Sequence, residues 1–136
     1  MIRDICRDTR LLKKRSVPAT PDDTDVIQDL RDTLRANHDR CVGMAANMIG
    51  IHKRIIIFST GMLDVVMVNP KITEKSGAFQ TTEGCLSLTG ERKCRRYEKI
   101  TVEYLDSRFE PKTGHFSGFT AQIIQHECDH LDGVII

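Results

Sequence analysis

His126 and His130 stand four residues apart, with Glu127 directly after the first, in the run Gln125-His126-Glu127-Cys128-Asp129-His130. On an α-helix, positions i and i+4 lie one above the other on a single face. Both imidazoles then reach one metal ion, and Glu127 beside them can handle the protons of a water bound there. The flanking residues read as a helix: Phe119, Ile123, His126 and His130 fall at i, i+4, i+7 and i+11, and Gly133 follows where a left-handed C-cap costs least. An open divalent site takes three protein ligands and keeps one position for solvent. Six residues remain after His130, and in the continued pattern H-x-x-G-x-x-H the closing position is Ile136, which has no lone pair to give. The third donor must lie upstream. Cys85, in Glu83-Gly84-Cys85-Leu86-Ser87, is the best available one, although alone it would read as a buried, inert thiol.

These side chains need a scaffold, and the chain is long enough for one. Its 136 residues are 40% hydrophobic and 29% charged, which suits one domain over 1–136 with a real core. A net charge of +1 leaves no electrostatic footprint for nucleic acid. The basic runs Lys13-Lys14-Arg15, Arg92-Lys93 and Arg95-Arg96 read as solvated faces, with ribosome docking the alternative use. No apolar run is long enough to span a membrane, and charged residues follow Met1 where a signal peptide would be apolar. Five cysteines without secreted-domain spacing point to a reducing, cytoplasmic compartment.

Residues 1–20 read as an irregular arm. Asp22-Asp23-Thr24 then opens an amphipathic helix of about four turns through Val26, Leu30 and Leu34, ending near Asn37 or His38. His38 and His52 read as surface residues. Arg54 to Ser59 and Asp64 to Asn69 are β-branched runs joined by Thr60-Gly61-Met62-Leu63, a hairpin signal. Further short strands are expected at Ile72 and at Ala78 to Thr82, then a half-buried strand over Lys99 to Leu105. A turn at Asp106-Ser107-Arg108 leads to a last strand near Thr113 to Phe116, with His115 solvated, and Ser117 or Gly118 opens the motif helix. Short strands before a buried helix give an α+β fold, an antiparallel or mixed sheet around one central helix.

Three segments in order, Gly43 to Gly50, Glu83 to Ser87 and Gln125 to His130, resemble the three motifs of peptide deformylase. Ile2-Arg3-Asp4-Ile5, Val68-Asn69-Pro70 and Leu131-Asp132-Gly133 extend the likeness nearly end to end. The second and third motifs are complete. The first departs from the pattern, with Cys41 where the family has Gly and Met48 where it has Gln. The chain also stops at Ile136, where many family members continue into a C-terminal helix, as expected of either a short form or a truncated chain.

The resemblance implies a metal-dependent hydrolase that removes the formyl group from the N-terminal methionine of nascent bacterial peptides. Cys85, His126 and His130 would bind one divalent ion, ferrous iron in the family, with Zn2+, Ni2+ or Co2+ also suited to this donor set. A water on that ion would attack, Glu127 would act as general base and then acid, and the Leu86 N–H would hold the oxyanion. Val42, Leu86, Phe119 and Ile123 would line the methionine pocket, and the segment containing Gly43 and Met48 would pair with the peptide by strand addition. Gln125 and Asp129 would orient the imidazoles and their helix neighbours, and Glu83 would pair with Arg96. In the family the residue at position 48 donates an amide to the formyl oxygen. Losing one such donor costs about 2.7–4 kcal/mol, or about 10²–10³ in rate, which Asn47 or a water would partly replace. Three rivals remain: a weakly active or inactive paralogue that only binds N-terminal peptides, a peptidase of another metal-dependent class, and a structural metal site completed by Cys41 or Cys94.

Overall fold

The computed structural model describes residues 1–135; Ile136, set aside above as a ligand, lies outside them. Its elements are α1 (Thr9–Leu12), α2 (Thr24–Ala36), β1 (Gly43–Ala45), β2 (Ile55–Ser59), β3 (Asp64–Gly84), β4 (Glu91–Leu105), β5 (Pro111–Ser117) and α3 (Gly118–Leu131). Single 3-10 turns occupy Pro21–Asp23 and Ala46–Ile49. The five strands form one sheet in chain order, with every neighbouring pair antiparallel. This is the α+β fold expected, and of the two sheet types left open it is the antiparallel one.

The helices cover the sheet from both sides. Val26, Ile27, Leu30 and Leu34 of α2 pack on Ile55 and Ile57 of β2, while Ala121, Ile124, Cys128 and Leu131 of α3 pack on Ile56 and Phe58. Covered on both faces, β2 reads as an unbroken apolar run instead of an alternating one. Each buried aliphatic side chain contributes about 1.5–3 kcal/mol.

Several elements differ from the sequence reading. The N-terminal arm contains α1, capped by the Asp8 carboxylate on Arg10 N–H. Thr20, not the aspartates after it, opens the turn into α2, its hydroxyl accepting from Asp22 N–H while Asp23 accepts from Thr20 N–H. The separate short strands expected between Ile72 and Thr82 are one continuous β3, paired with β2 at its start and with β4 from Val68 to Gly84. β4 begins at Glu91, well before Lys99. The polar ends of this hairpin have solvent on much of their surface, so no apolar alternation marks them. Arg96, read as part of a solvated run, is buried.

The C-terminal end of α3 is closed by its own chain. Gly133, at φ 76°, donates to His130 O and Val134 N–H to Asp129 O, a complete Schellman motif. Leu131 O accepts from Ser16 N–H and from the Arg54 guanidinium, a cation well placed at a helix C-terminus. The last turn, which carries His130, is thereby held at several points.

Candidate metal centre

α3 presents its sheet-facing stripe to the core and turns Gln122, His126 and His130 the other way. The Nε2 atoms of His126 and His130 lie 3.0 Å apart, and Cys85 Sγ is 3.4 Å from His130 Nε2. Cys85 reaches them from the turn that joins β3 to β4. Donor atoms of Cys85, His126 and His130 all fall within 4.8 Å of one another, and among the described residues neither Cys41 nor Cys94 joins this group. A tetrahedral site with metal–ligand bonds of 2.0–2.3 Å needs ligands roughly 3.3–3.8 Å apart, so small adjustments admit an ion. One sulfur and two imidazoles suit a borderline-soft divalent cation.

A buried network aims the imidazoles. His126 Nδ1 meets Glu83 Oε1 at 2.8 Å, so a proton there leaves Nε2 its lone pair. Glu83 is gripped in turn by Arg96, whose Nη2 lies 2.7 Å from Oε1, and by Gln122 Nε2 at 2.8 Å from Oε2. The other arm of Arg96 donates to Asp129 Oδ2 at 2.7 Å. Burial alone would raise the Glu83 carboxyl, but hydrogen bonds from His126, Arg96 and Gln122 outweigh it and hold it well below the usual carboxylate range.

Two imidazoles this close cannot both carry charge. Burial works to lower His126, yet its hydrogen bonds to Cys85 and Glu83 prevail and raise it to about 10. His130 is pushed down to about 3, by burial first and then by the charge on His126. Glu127 is buried, with Oε1 finding no protein partner among the described residues, and burial raises its pKa to about 7. An orphaned carboxylate oxygen of this kind calls for a proton-bearing ligand.

A cleft of about 290 Å³ opens over these groups, with Val42, Gly43, Met48, Leu86, Phe119 and Ile123 in its wall. The structure therefore gathers Cys85, Leu86, His126, Glu127 and all the predicted substrate-binding residues around this cleft, with His130 beside them and Gln125 and Asp129 outside its lining. Ile123 is buried, while Val42 and Phe119 are exposed at the mouth. Gly43 lets the wall close up: a Cβ there would come within 2.8 Å of Ile123 Cγ2 and 3.0 Å of Glu127 Oε2, so those side chains would have to shift. Met48 is buried, and its sulfur accepts from Ala45 N–H at 3.4 Å. Cys41 donates its S–H to Gly43 O at 2.9 Å; burial, then the Glu127 charge, push that thiol up to about 12.

Two assignments need correction. Asn47 cannot replace the missing amide, since its Nδ2 donates to His130 O at 2.8 Å and it is fully buried on the helix side. Gln125 orients neither imidazole; its amide pairs with the backbone N–H and C=O of Tyr97, both at 2.8 Å, tying α3 to β4. Sequence reasoning missed Gln122, although it stands four residues before His126 on the same helical face. It missed Arg7 as well, whose guanidinium donates to Leu86 O and which no periodicity marks.

A family model described as polypeptide deformylase matches residues 2–136. The chain belongs to the peptide deformylase family. A peptide deformylase of Clostridium beijerinckii is 55% identical over 136 residues, covering all of both chains. A crystal structure of a class I type b peptide deformylase from Acinetobacter baumannii, bound to Met-Ala-Ser, superposes with a TM-score of 0.89 at 30% identity. It covers 99% of this chain and 97% of its own. The peptide deformylase of Thermotoga maritima gives the same TM-score and identity, over 99% and 95%. The chain is thus a metal-dependent hydrolase of the deformylase type.

Proposed function

We propose that this chain, acting as one domain over 1–136, removes the formyl group from N-formylmethionyl peptides in the cytoplasm. The observation that carries the reading is the convergence of Cys85, His126 and His130 beside a buried Glu127 whose Oε1 has no partner among the described residues, at the floor of a cleft walled by Gly43. Among the described residues β1 pairs as a strand with β2 alone, and on its other edge Gly43 O and Ala45 N–H meet the side chains of Cys41 and Met48, so an extended peptide can add there by displacing them. The Acinetobacter relative with Met-Ala-Ser bound supports a peptide of that kind as ligand. Five free thiols fit a reducing compartment, and among the described residues no helix is long and apolar enough to cross a membrane. Proximity to the ribosome would follow from a nascent substrate and needs no dedicated surface.

A divalent cation held by Cys85, His126 and His130, ferrous iron by the family's habit, would supply a Lewis acid that polarises an attacking water and the formyl carbonyl. Glu127 takes the proton at its free carboxylate oxygen and returns it to the departing amine. The Leu86 N–H, which bonds to no protein group among the described residues, donates to the oxygen as it gains charge. Val42, Phe119 and Ile123 receive the methionine side chain, and the small Gly43 lets the peptide approach Glu127. Anaerobically reconstituted iron protein is expected to release formate from formyl-Met-Ala-Ser, and Glu127→Gln to lower that rate at least about 100-fold. An inert parent and an inert Met48→Gln variant, both with metal bound, would sink the reading.

A further inference from the structure

The N-terminal arm runs as a strap across the cleft's two walls. At its start, Arg3 is fixed to α2, its N–H donating to Thr33 Oγ1 and its Nε to Asp29 Oδ2, each at 2.9 Å. Cys6 N–H then donates to Met48 O at 2.7 Å, and the next residue's Arg7 Nη1 donates to Leu86 O at 3.1 Å. Asp8 caps α1 and ends the strap, and Leu12 of α1 is fully buried. Consecutive residues therefore bond to position 48 on one wall and position 86 on the other.

Cys85 and Leu86 of the turn that receives Arg7 pack on the core, but its polar groups have few other partners among the described residues, one of them Arg92 Nη1, which donates to Thr89 O at 3.4 Å. Leu88 N–H donates to Cys85 O at 3.1 Å, while the Ser87 hydroxyl is buried without a partner among the described residues. A turn sampling several conformations would scatter the Leu86 N–H, and a donor displaced by a fraction of an ångström loses much of its effect on a developing charge. Pinning Leu86 O restrains the torsion between that carbonyl and the N–H of the same residue.

We propose that Arg7 is a positioning residue: through Leu86 O it locks the Cys85–Gly90 turn so that the Leu86 N–H faces the reacting carbonyl. The rate consequence rests on the deformylase reading; the ordering of the turn does not. Because the guanidinium is exposed, its hydrogen bond is of modest strength, and Arg7→Ala should lower kcat about threefold to tenfold. KM should move less than twofold, and Arg7→Lys, which keeps one cationic donor, should recover most of the loss.

The test pairs steady-state kinetics on formyl-Met-Ala-Ser with hydrogen exchange of metal-loaded parent, Arg7→Ala and Arg7→Lys. In Arg7→Ala, the amides of residues 85–90 should exchange faster while those of α2 keep the parent's rates. Unchanged exchange in 85–90 overturns the proposal, as does an unchanged kcat in an active parent. A parent that hydrolyses no formyl peptide defeats the deformylase reading instead, and exchange alone then decides for or against the role of Arg7.

Discussion

Met48 sits where an amide would be useful and offers a thioether that only accepts. Its sulfur already takes the Ala45 N–H. In a Met48→Gln variant the side-chain oxygen can take over that bond, leaving the NH₂ to donate into the cleft. The expected outcome is a rise in kcat of about 10- to 100-fold with little change in KM, read on a formyl-Met peptide. Gly43→Ala tests the opposite wall. The added Cβ would press on Ile123 and Glu127, and such overpacking costs about 1–3 kcal/mol. Activity should fall about tenfold or more while circular dichroism keeps the parent's spectrum. At this scale the sequence was informative where chemistry is unusual. Two histidines at helical spacing announce themselves, and a helix short of one ligand points back to Cys85. Asn47 was misread because type and position suggested a donor for the cleft, whereas folding brings α3's last carbonyls to it first.

Between elements, one buried guanidinium links Glu83 of the β3–β4 hairpin to Asp129 of α3, alongside the Gln122, Gln125 and His126 bonds. Arg96→Leu would leave Glu83 facing His126 without its cation, and removing one partner of such a pair costs about 3–5 kcal/mol. Urea unfolding should report a loss in that range, and the bound metal should leave faster. The strap's other end carries a pH dependence. Burial works to raise the Asp29 carboxyl, but the Met1 ammonium and the Arg3 guanidinium prevail and hold it below its ordinary 3.8. A depressed acid gives its stability in full above the unfolded pKa and loses it as pH falls through the folded one. The arm should therefore stay docked at pH 5 and above and release below about pH 3.8, seen as faster exchange of the Arg3 amide. Element boundaries were legible where burial imposes a pattern, as in α2 and α3. They were not legible from Thr73 to Gly77 or Glu91 to Arg95, where strands held by backbone pairing carry mostly half-exposed or exposed side chains. Arg96 hides in that same charged run, its burial set by Glu83 on the partner strand and Asp129 on the helix.

Across the whole molecule, the sheet's neighbours in space are its neighbours in sequence, so the fold class followed from counting strands before a helix. The candidate metal centre joins two parts of that arrangement, α3 and the β3–β4 turn, and a cation bound there should stabilise both. At 100 times its dissociation constant the ion would add about 2.7 kcal/mol, so chelation should lower Tm by on the order of 10 °C. The path to that state has an order built into it. Two donors share neighbouring turns of one helix, but the third arrives at the tip of a long ribbon, 45 residues from His130 in the chain. Local pairs form early and distant ones late. Closure around the ion then falls after the folding barrier, so added metal should leave the refolding rate within about twofold and act by slowing escape from the native state. Stopped-flow traces with and without chelator would read both limbs: an ion that speeds folding instead would mean the ribbon tip and the helix meet before the barrier is crossed.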